Sequence, residues 1–276
     1  MLQNIVQKNP WTERNVSYIN GVPFVAYGFW FGEKMLGERE KVYKQLVANI
    51  GPPFYLITID NISDFESPEH PFNLAVKYTL KNKKGLSGNH LSDYFRQYVS
   101  YHYGGAYTDI KLRLKDQSIS KSWDIFKDPN VWVIGMPNRL GGAGDLEIFE
   151  YIKKHEGNNT DLKLFKDGKW NEDNMIDSKL LCNTGWISRP KNKLFEKVNK
   201  FVEMRLEKLF KMVQIHPVYN FKRCCLRIPG YPVKWTSLQG NVFHPYQLVY
   251  FSHISREMPI LTYTTSYRDK SEDVRS

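Results

Sequence analysis

Asn89-His90-Leu91-Ser92-Asp93-Tyr94-Phe95-Arg96-Gln97-Tyr98-Val99-Ser100-Tyr101-His102-Tyr103-Gly104-Gly105-Ala106-Tyr107-Thr108-Asp109-Ile110-Lys111-Leu112 reads as a helix, a diglycine stop and a strand that carries an acidic residue at its exposed end. On a helix, Leu91, Tyr94, Phe95, Tyr98, Val99 and His102 fall on one side, and Asp93, Arg96, Gln97 and Ser100 on the other. One face packs and the other presents polar groups. Asn89 is placed to cap the start, with Asp93 close to the positive end of the helix dipole. Gly104 and Gly105 supply the permissive backbone that ends it. The following residues, 107–112, alternate as a strand, with Asp109 and Lys111 on one face, roughly 7 Å apart by strand geometry.

Upstream, 24–31 is a nearly continuous apolar and aromatic run that suits a buried strand. Residues 33–50 have helical spacing up to the Gly51-Pro52-Pro53 break, and 54–59 is the next strand. That is one βαβ unit, and ligands in such sheets sit beyond the carboxyl ends of the strands. Trp30, Gly32 and Asp60 lie at those ends. A short helix is expected over 72–80. Downstream, 131–136 reads as a buried strand, Gly141-Gly142-Ala143-Gly144 as a loop and 145–154 as a helix. Residues 156–178 are polar and weakly patterned, a lid or acceptor-side insertion. A long amphipathic helix covers 194–213, and the remainder reads as irregular and aromatic.

The chain has 276 residues, 41% of them hydrophobic and 14% aromatic, enough for one α/β domain with a full core and too few for two large ones. No apolar run reaches the length of a membrane span, and the N-terminus lacks the apolar core of a signal peptide, so the expected location is the cytoplasm. Cys182, Cys224 and Cys225 are odd in number and lack Cys-x-x-Cys spacing, which points to neither a disulfide framework nor a zinc site. A net charge of +10 attracts phosphates in general. No nucleic-acid motif accompanies it, so no nucleic-acid partner is expected.

The pattern Ser92-Asp93-Tyr94-x-Arg96, then Tyr103-Gly104-Gly105-x-Tyr107-x-Asp109, resembles the sugar-nucleotide-binding region of glycosyltransferases of the capsular-polysaccharide type, in which the last part is the DXD motif. Phe29-Trp30-Phe31-Gly32, Trp235-Thr236 and Phe243-His244-Pro245 are similar to that family's other landmarks, so the likeness runs from about 22 to 250. Members occur in bacterial surface-polysaccharide clusters and in large DNA viruses of algae; for a viral chain the compartment would be the host cytoplasm. The resemblance implies a single GT-A-like, Rossmann-like α/β domain with a mostly parallel central sheet flanked by helices. A nucleotide-sugar-binding half would cover about 22–135, an acceptor-side half about 136–250 and a tail 251–276.

By the same resemblance the chain moves a sugar from a nucleotide-sugar donor, a UDP-sugar first (a UDP-hexose or UDP-xylose), to an oligosaccharide or glycoprotein acceptor in surface or capsid glycan synthesis. The alternative is a non-catalytic nucleotide-sugar or glycan-binding module on the same fold. Donor-binding candidates are Tyr27 or Trp30 for stacking on the base, Asp93 and Arg96 for the ribose, sugar or phosphates, Asp109 and Lys111, Asn183 beside the acceptor pocket, and His244. Asp145 and Glu147 are candidates for a catalytic base. The family's motif ends in a second carboxylate that holds Mn²⁺ or Mg²⁺, for which Asp109 and His244 are the candidate ligands here. This chain has Lys111 in that position. An ammonium cannot ligate a metal but can neutralise a diphosphate directly, so weak or absent metal dependence is expected.

Overall fold

The computed structural model describes residues 11, 16–32, 34–114, 118–138, 144–157, 165–166, 169–170, 180–222, 228–259 and 261–263. Its centre is a six-stranded sheet: β1 (Ala26–Trp30), β2 (Phe54–Thr58), β3 (Gly105–Thr108), β4 (Val133–Pro137), β5 (Leu181–Ser188) and β6 (Ile254–Ser255), in the spatial order β6-β4-β5-β3-β1-β2. β1 is parallel to β2 and β3, and β6 is parallel to β4, whereas β5 is antiparallel to both its neighbours. Five strands therefore point one way and β5 alone is reversed. The α/β expectation with a mostly parallel sheet holds.

Because successive strand residues face opposite sides, the sheet builds two cores. Tyr27, Phe29, Tyr55, Ile57, Tyr107 and Trp186 face one side, against α2 (Leu74–Asn82), α3 (Gly88–His102), α4 (Leu146–Glu156), α5 (Lys193–Ile215) and α6 (Gly240–Val249). Ala26, Phe54, Ala106, Ile134, Met136 and Ile187 face the other, against α1 (Gly37–Asn49) and the 3₁₀ segment Ser120–Lys127 with its buried Trp123 and Phe126. Among the described residues no helix is long and apolar enough to cross a membrane.

Several local expectations need correction. The cap of α3 is Ser87, whose hydroxyl accepts from His90 N at 3.2 Å, rather than Asn89. The polar side of α3 is not solvated: Gln97 and Ser100 are fully buried, because α5, the sheet and the turn at 237–239 all close on this helix. Their bonding makes the burial affordable. Gln97 Nε2 donates to Asp93 O at 2.9 Å and to Leu238 O, and Ser100 Oγ accepts from Trp186 Nε1 at 2.8 Å. The C-terminal part is not wholly irregular, since α6 lies within it. Gly240 and Pro245 read as helix breakers, yet α6 is almost entirely buried, and packing of Val242, Phe243 and Tyr246 outweighs their low propensity. The strand at 107–112 stops at Thr108; a turn follows, and Leu112–Leu114 leaves the sheet to pair with Leu261–Tyr263. Gly104 and Gly105 have φ of +73° and +94°, the left-handed backbone expected of a diglycine stop.

Cys182 is a free cysteine beside Thr184, with Sγ 3.1 Å from the hydroxyl. Cys224 and Cys225, most of the 141–144 loop and most of 156–178 lie outside the described residues.

Candidate functional site

The parallel strands end on one edge of the sheet. Trp30 closes β1, Asp60 follows β2, and Asp109 follows β3 directly. β5 enters the sheet from this edge, so Asn183 and Thr184 lie here too, and Asp109 N donates to Thr184 O at 2.8 Å. α3 leads into β3 through the diglycine turn, so it runs antiparallel to it. Its N-terminal half, with Asp93 and Arg96, is thereby returned to the edge where Asp109 sits.

At that edge four charged side chains interlock. Arg96 Nη2 lies 3.1 Å from Asp93 Oδ1 and 3.8 Å from Asp109 Oδ1, and Lys111 Nζ lies 3.0 Å from Asp109 Oδ2. Arg96 also donates Nη1 to Asn183 O at 2.8 Å and Nε to Ser92 O at 3.3 Å, and its guanidinium sits over the Tyr107 ring at 4.8 Å. Tyr107 OH donates to Asp109 Oδ1. The four side chains are 11–17% exposed, so each touches solvent at one end only. Asp109 and Lys111 are not the 7 Å strand neighbours expected. The turn after Thr108 folds the ammonium onto the carboxylate.

Electrostatics divides the two acids. Burial pushes Asp93 up to about 6, with Asp109 adding to the rise and Arg96 and Lys111 opposing it. For Asp109 burial also acts upward, but Lys111, Arg96 and the hydrogen bonds from Tyr107 and Lys111 together outweigh it and hold the carboxyl below its usual range. One acid is fixed as an anion and the other titrates near neutrality. Acids driven apart in this way occur at functional sites and in structural ion-pair networks alike.

A residue the sequence reading passed over makes this edge possible. A Cβ on Gly28 would lie 2.8 Å from both Thr108 O and Ile110 Cγ2, so only glycine lets the 108–110 turn lie against β1 and aim Asp109 outward. Both obstacles are backbone or a buried branched side chain. Gly28→Ala is therefore expected to cost about 1–3 kcal/mol and to displace the Asp109–Lys111 pair. Thermal unfolding checks the first part; a Tm equal to the parent's would mean the turn yields without cost.

The remaining candidates fall elsewhere. Tyr27 is fully buried, its hydroxyl 2.9 Å from Ser100 Oγ and its ring against Phe29, Tyr107 and Trp11, so it belongs to the core and offers no open ring face. Trp30 is half-buried at the strand end. A Cβ on Gly32 would stand 3.4 Å from the Trp30 indole, so this glycine leaves that part of the ring clear of a side chain. Asn183 and its neighbours form part of β5.

His244 is 3% exposed within α6. Burial brings its imidazole down to about 4, a hydrogen bond with the Leu181 backbone acting the other way, so it is neutral at ordinary pH. Asp145 is the N-cap of α4, accepting from Ile148 N at 3.0 Å, and also bonds Arg205 at 3.3 Å and Asn241 at 3.0 Å. Glu147 pairs with Arg205 at 2.9 Å and Lys208 at 3.1 Å. These two acids tie α4 to α5 and α6.

The donor set bears on metal binding. Both oxygens of Asp109 already face cations, Asp93 shares Arg96, and among the described residues no group of three or more His, Cys, Asp or Glu side chains converges as a metal site. In this arrangement the charges of both carboxylates are offset by Arg96 and Lys111.

No protein-family model matches the chain, and no curated protein matches it. Among solved structures it is similar to one titled "PaToxG Glycosyltransferase", at 13% sequence identity and a TM-score of 0.37, over 82% of this chain and 68% of that one.

Proposed function

We propose that the chain is a nucleotide-sugar-dependent glycosyltransferase whose donor site is the Asp93–Arg96–Asp109–Lys111 constellation. The observation that carries the reading is the position of Asp109. It follows directly on a parallel strand, in a Tyr-Gly-Gly-x-Tyr-x-Asp context, and a cation pairs with each of its oxygens. In this reading Arg96, all of whose nitrogens are engaged, holds the two acids in place. Lys111 faces the diphosphate, Asp93 and Asp109 meet ribose and sugar hydroxyls, and Trp30 offers its indole to the base. In the transfer, the acceptor hydroxyl oxygen bonds to the anomeric carbon as the bond to the diphosphate oxygen breaks. The bonding pair leaves with the nucleoside diphosphate, and the hydroxyl proton goes to a base. Lys111 stabilises the charge that grows on the leaving group. The acceptor is a glycan hydroxyl, and a UDP-sugar is the first donor to try.

The engagement of Asp145 and Glu147 with Arg205 favours a second reading, a nucleotide-sugar-binding module without transfer, because it leaves both proposed bases tied in helix-to-helix bonds. Release of nucleoside diphosphate from a labelled donor separates the two readings.

The test is calorimetric titration with UDP-, GDP- and dTDP-sugars across pH 5–8, in EDTA and in Mn²⁺. One nucleotide class is expected to bind, with EDTA making little difference. Above about 6 the two cations and two carboxylates cancel; below it, protonated Asp93 leaves one net positive charge. Affinity for the anionic donor should therefore rise about tenfold as pH falls through 6, and Asp93→Asn should flatten that dependence. Stability follows the same proton. Asp93 has a folded value raised above the ordinary 3.8, so its favourable contribution is present at low pH and is lost as pH rises from about 4 to about 6. No binding of any donor class at any pH would sink the proposal.

A further inference from the structure

The end of the molecule that bears the charged constellation also carries a basic and apolar surface with no part in it. α2 runs into α3 through Lys83 and the two-residue strand Lys84–Gly85, which pairs with Val218–Tyr219 just beyond the end of α5. α5 begins at the opposite edge and runs back beside α3, with Asn199 bonded to Gln97 and Glu203 to Tyr94, so its last turn reaches the same end as Asp93. Tyr78 of α2 packs edge-on against Phe210 of α5 at 5.8 Å, which joins the two helices into one face.

On that face Met212, Ile215 and Tyr219 are 41%, 56% and 59% exposed. Tyr219 lies directly opposite Lys84 in the ribbon, and Asn220 N donates to Lys83 O. Lys81, Lys83, Lys211 and Lys222 are exposed around them, and neither 77–92 nor 208–222 contains an Asp or Glu. On α1 the exposed Lys41 and Lys44 are paired with Glu38 and Glu40, and at the margin of this face Lys77 pairs with Glu66 and Lys208 with Glu147. Four exposed lysines around exposed aliphatic and phenolic side chains match two layers of a lipid surface, headgroup phosphates outside and acyl boundary within. A nucleic acid would use the lysines but has no place for Met212 and Ile215.

We propose that this face docks on the surface of a membrane carrying anionic lipid headgroups, which would bring the charged constellation to the membrane and its acceptor. The docking chemistry needs no donor, so it stands or falls separately from glycosyl transfer. The test is flotation of the full chain with phosphatidylcholine vesicles, pure or with every fourth lipid replaced by phosphatidylserine. Binding is expected to the mixed vesicles alone. Each of Lys83→Ala and Lys211→Ala should lower the partition coefficient about fivefold, and the double change Ile215→Ser with Tyr219→Ser should lower it about tenfold or more. Lys41→Ala with Lys44→Ala should leave it unchanged. Circular dichroism confirms that these exposed changes leave the fold intact. Absence of binding to the mixed vesicles overturns the proposal. So does binding that ignores Ile215 and Tyr219 while a duplex DNA probe binds more tightly than the vesicles.

Discussion

Lys111→Asp is expected to make donor binding metal-dependent. In the parent, the ammonium 3.0 Å from Asp109 supplies the positive charge that the diphosphate needs. With a carboxylate there instead, two acids two residues apart would repel the phosphates, and hard-cation ligands would be present where none were before. In EDTA the donor affinity should fall by about a hundredfold or more, the roughly 3 kcal/mol that loss of a buried charge partner typically costs in binding. Mn²⁺ should restore most of it. Isothermal titration of parent and variant in EDTA and in Mn²⁺ reads both effects. If the variant binds the donor equally well in EDTA, Lys111 does not face the diphosphate. If Mn²⁺ fails to rescue it while Lys111→Ala binds as weakly, the cation matters but the pocket does not admit a metal. Stability in EDTA should fall as well, since Asp109 would face a second carboxylate with only Arg96 and Tyr107 to hold it.

Trp186→Ala should produce the largest loss of stability, about 3–5 kcal/mol, measured by urea unfolding. Trp186 is fully buried in the antiparallel strand β5, in contact with the rings of Tyr107, Phe195 and Phe243. Its indole N–H donates to Ser100 Oγ, the same atom that meets Tyr27 OH, and Ser100 Oγ in turn donates to Arg96 O at 2.6 Å. The change therefore opens a cavity and also loosens the helical turn that carries Arg96. Trp186→Phe should keep most of the packing and lose the hydrogen bond, at about 1–2 kcal/mol. A cost for Trp186→Ala no greater than that of Trp186→Phe would mean that the core collapses around the gap.

The first half of the fold could be read directly because its signals are local. The apolar run at β1, the Gly51-Pro52-Pro53 break and the diglycine stop each act within a few residues, and the element bounds follow to within about a turn, except that the strand expected over 107–112 lies at Gly105–Thr108. α6 was illegible for the opposite reason. Gly240 and Pro245 oppose a helix locally, and only the rings of Trp186 and Phe195, which receive Phe243, give it an interior to fill. Within the site, Asp93, Arg96, Asp109 and Lys111 stood out through their motif, but Tyr27 did not announce its burial, because an aromatic residue near a strand end suits a core and a stacking surface equally. Gly28 was silent, since the need for it lies in a turn some eighty residues away.

By itself the sequence determined that α3, the diglycine turn and β3 follow one another, and hence that Asp93 and Arg96 return to the strand end bearing Asp109. Helix and strand periods, with glycine's tolerance of positive φ, are enough for that. Only the tertiary structure decided what these charges do to one another. The turn beyond Thr108 closes Lys111 onto Asp109, Arg96 bridges both acids, and burial lifts Asp93 to about 6 while Asp109 stays ionised. Coulomb energies and desolvation depend on distances of a few ångströms and on what excludes water, and those are properties of packing between segments remote in the chain.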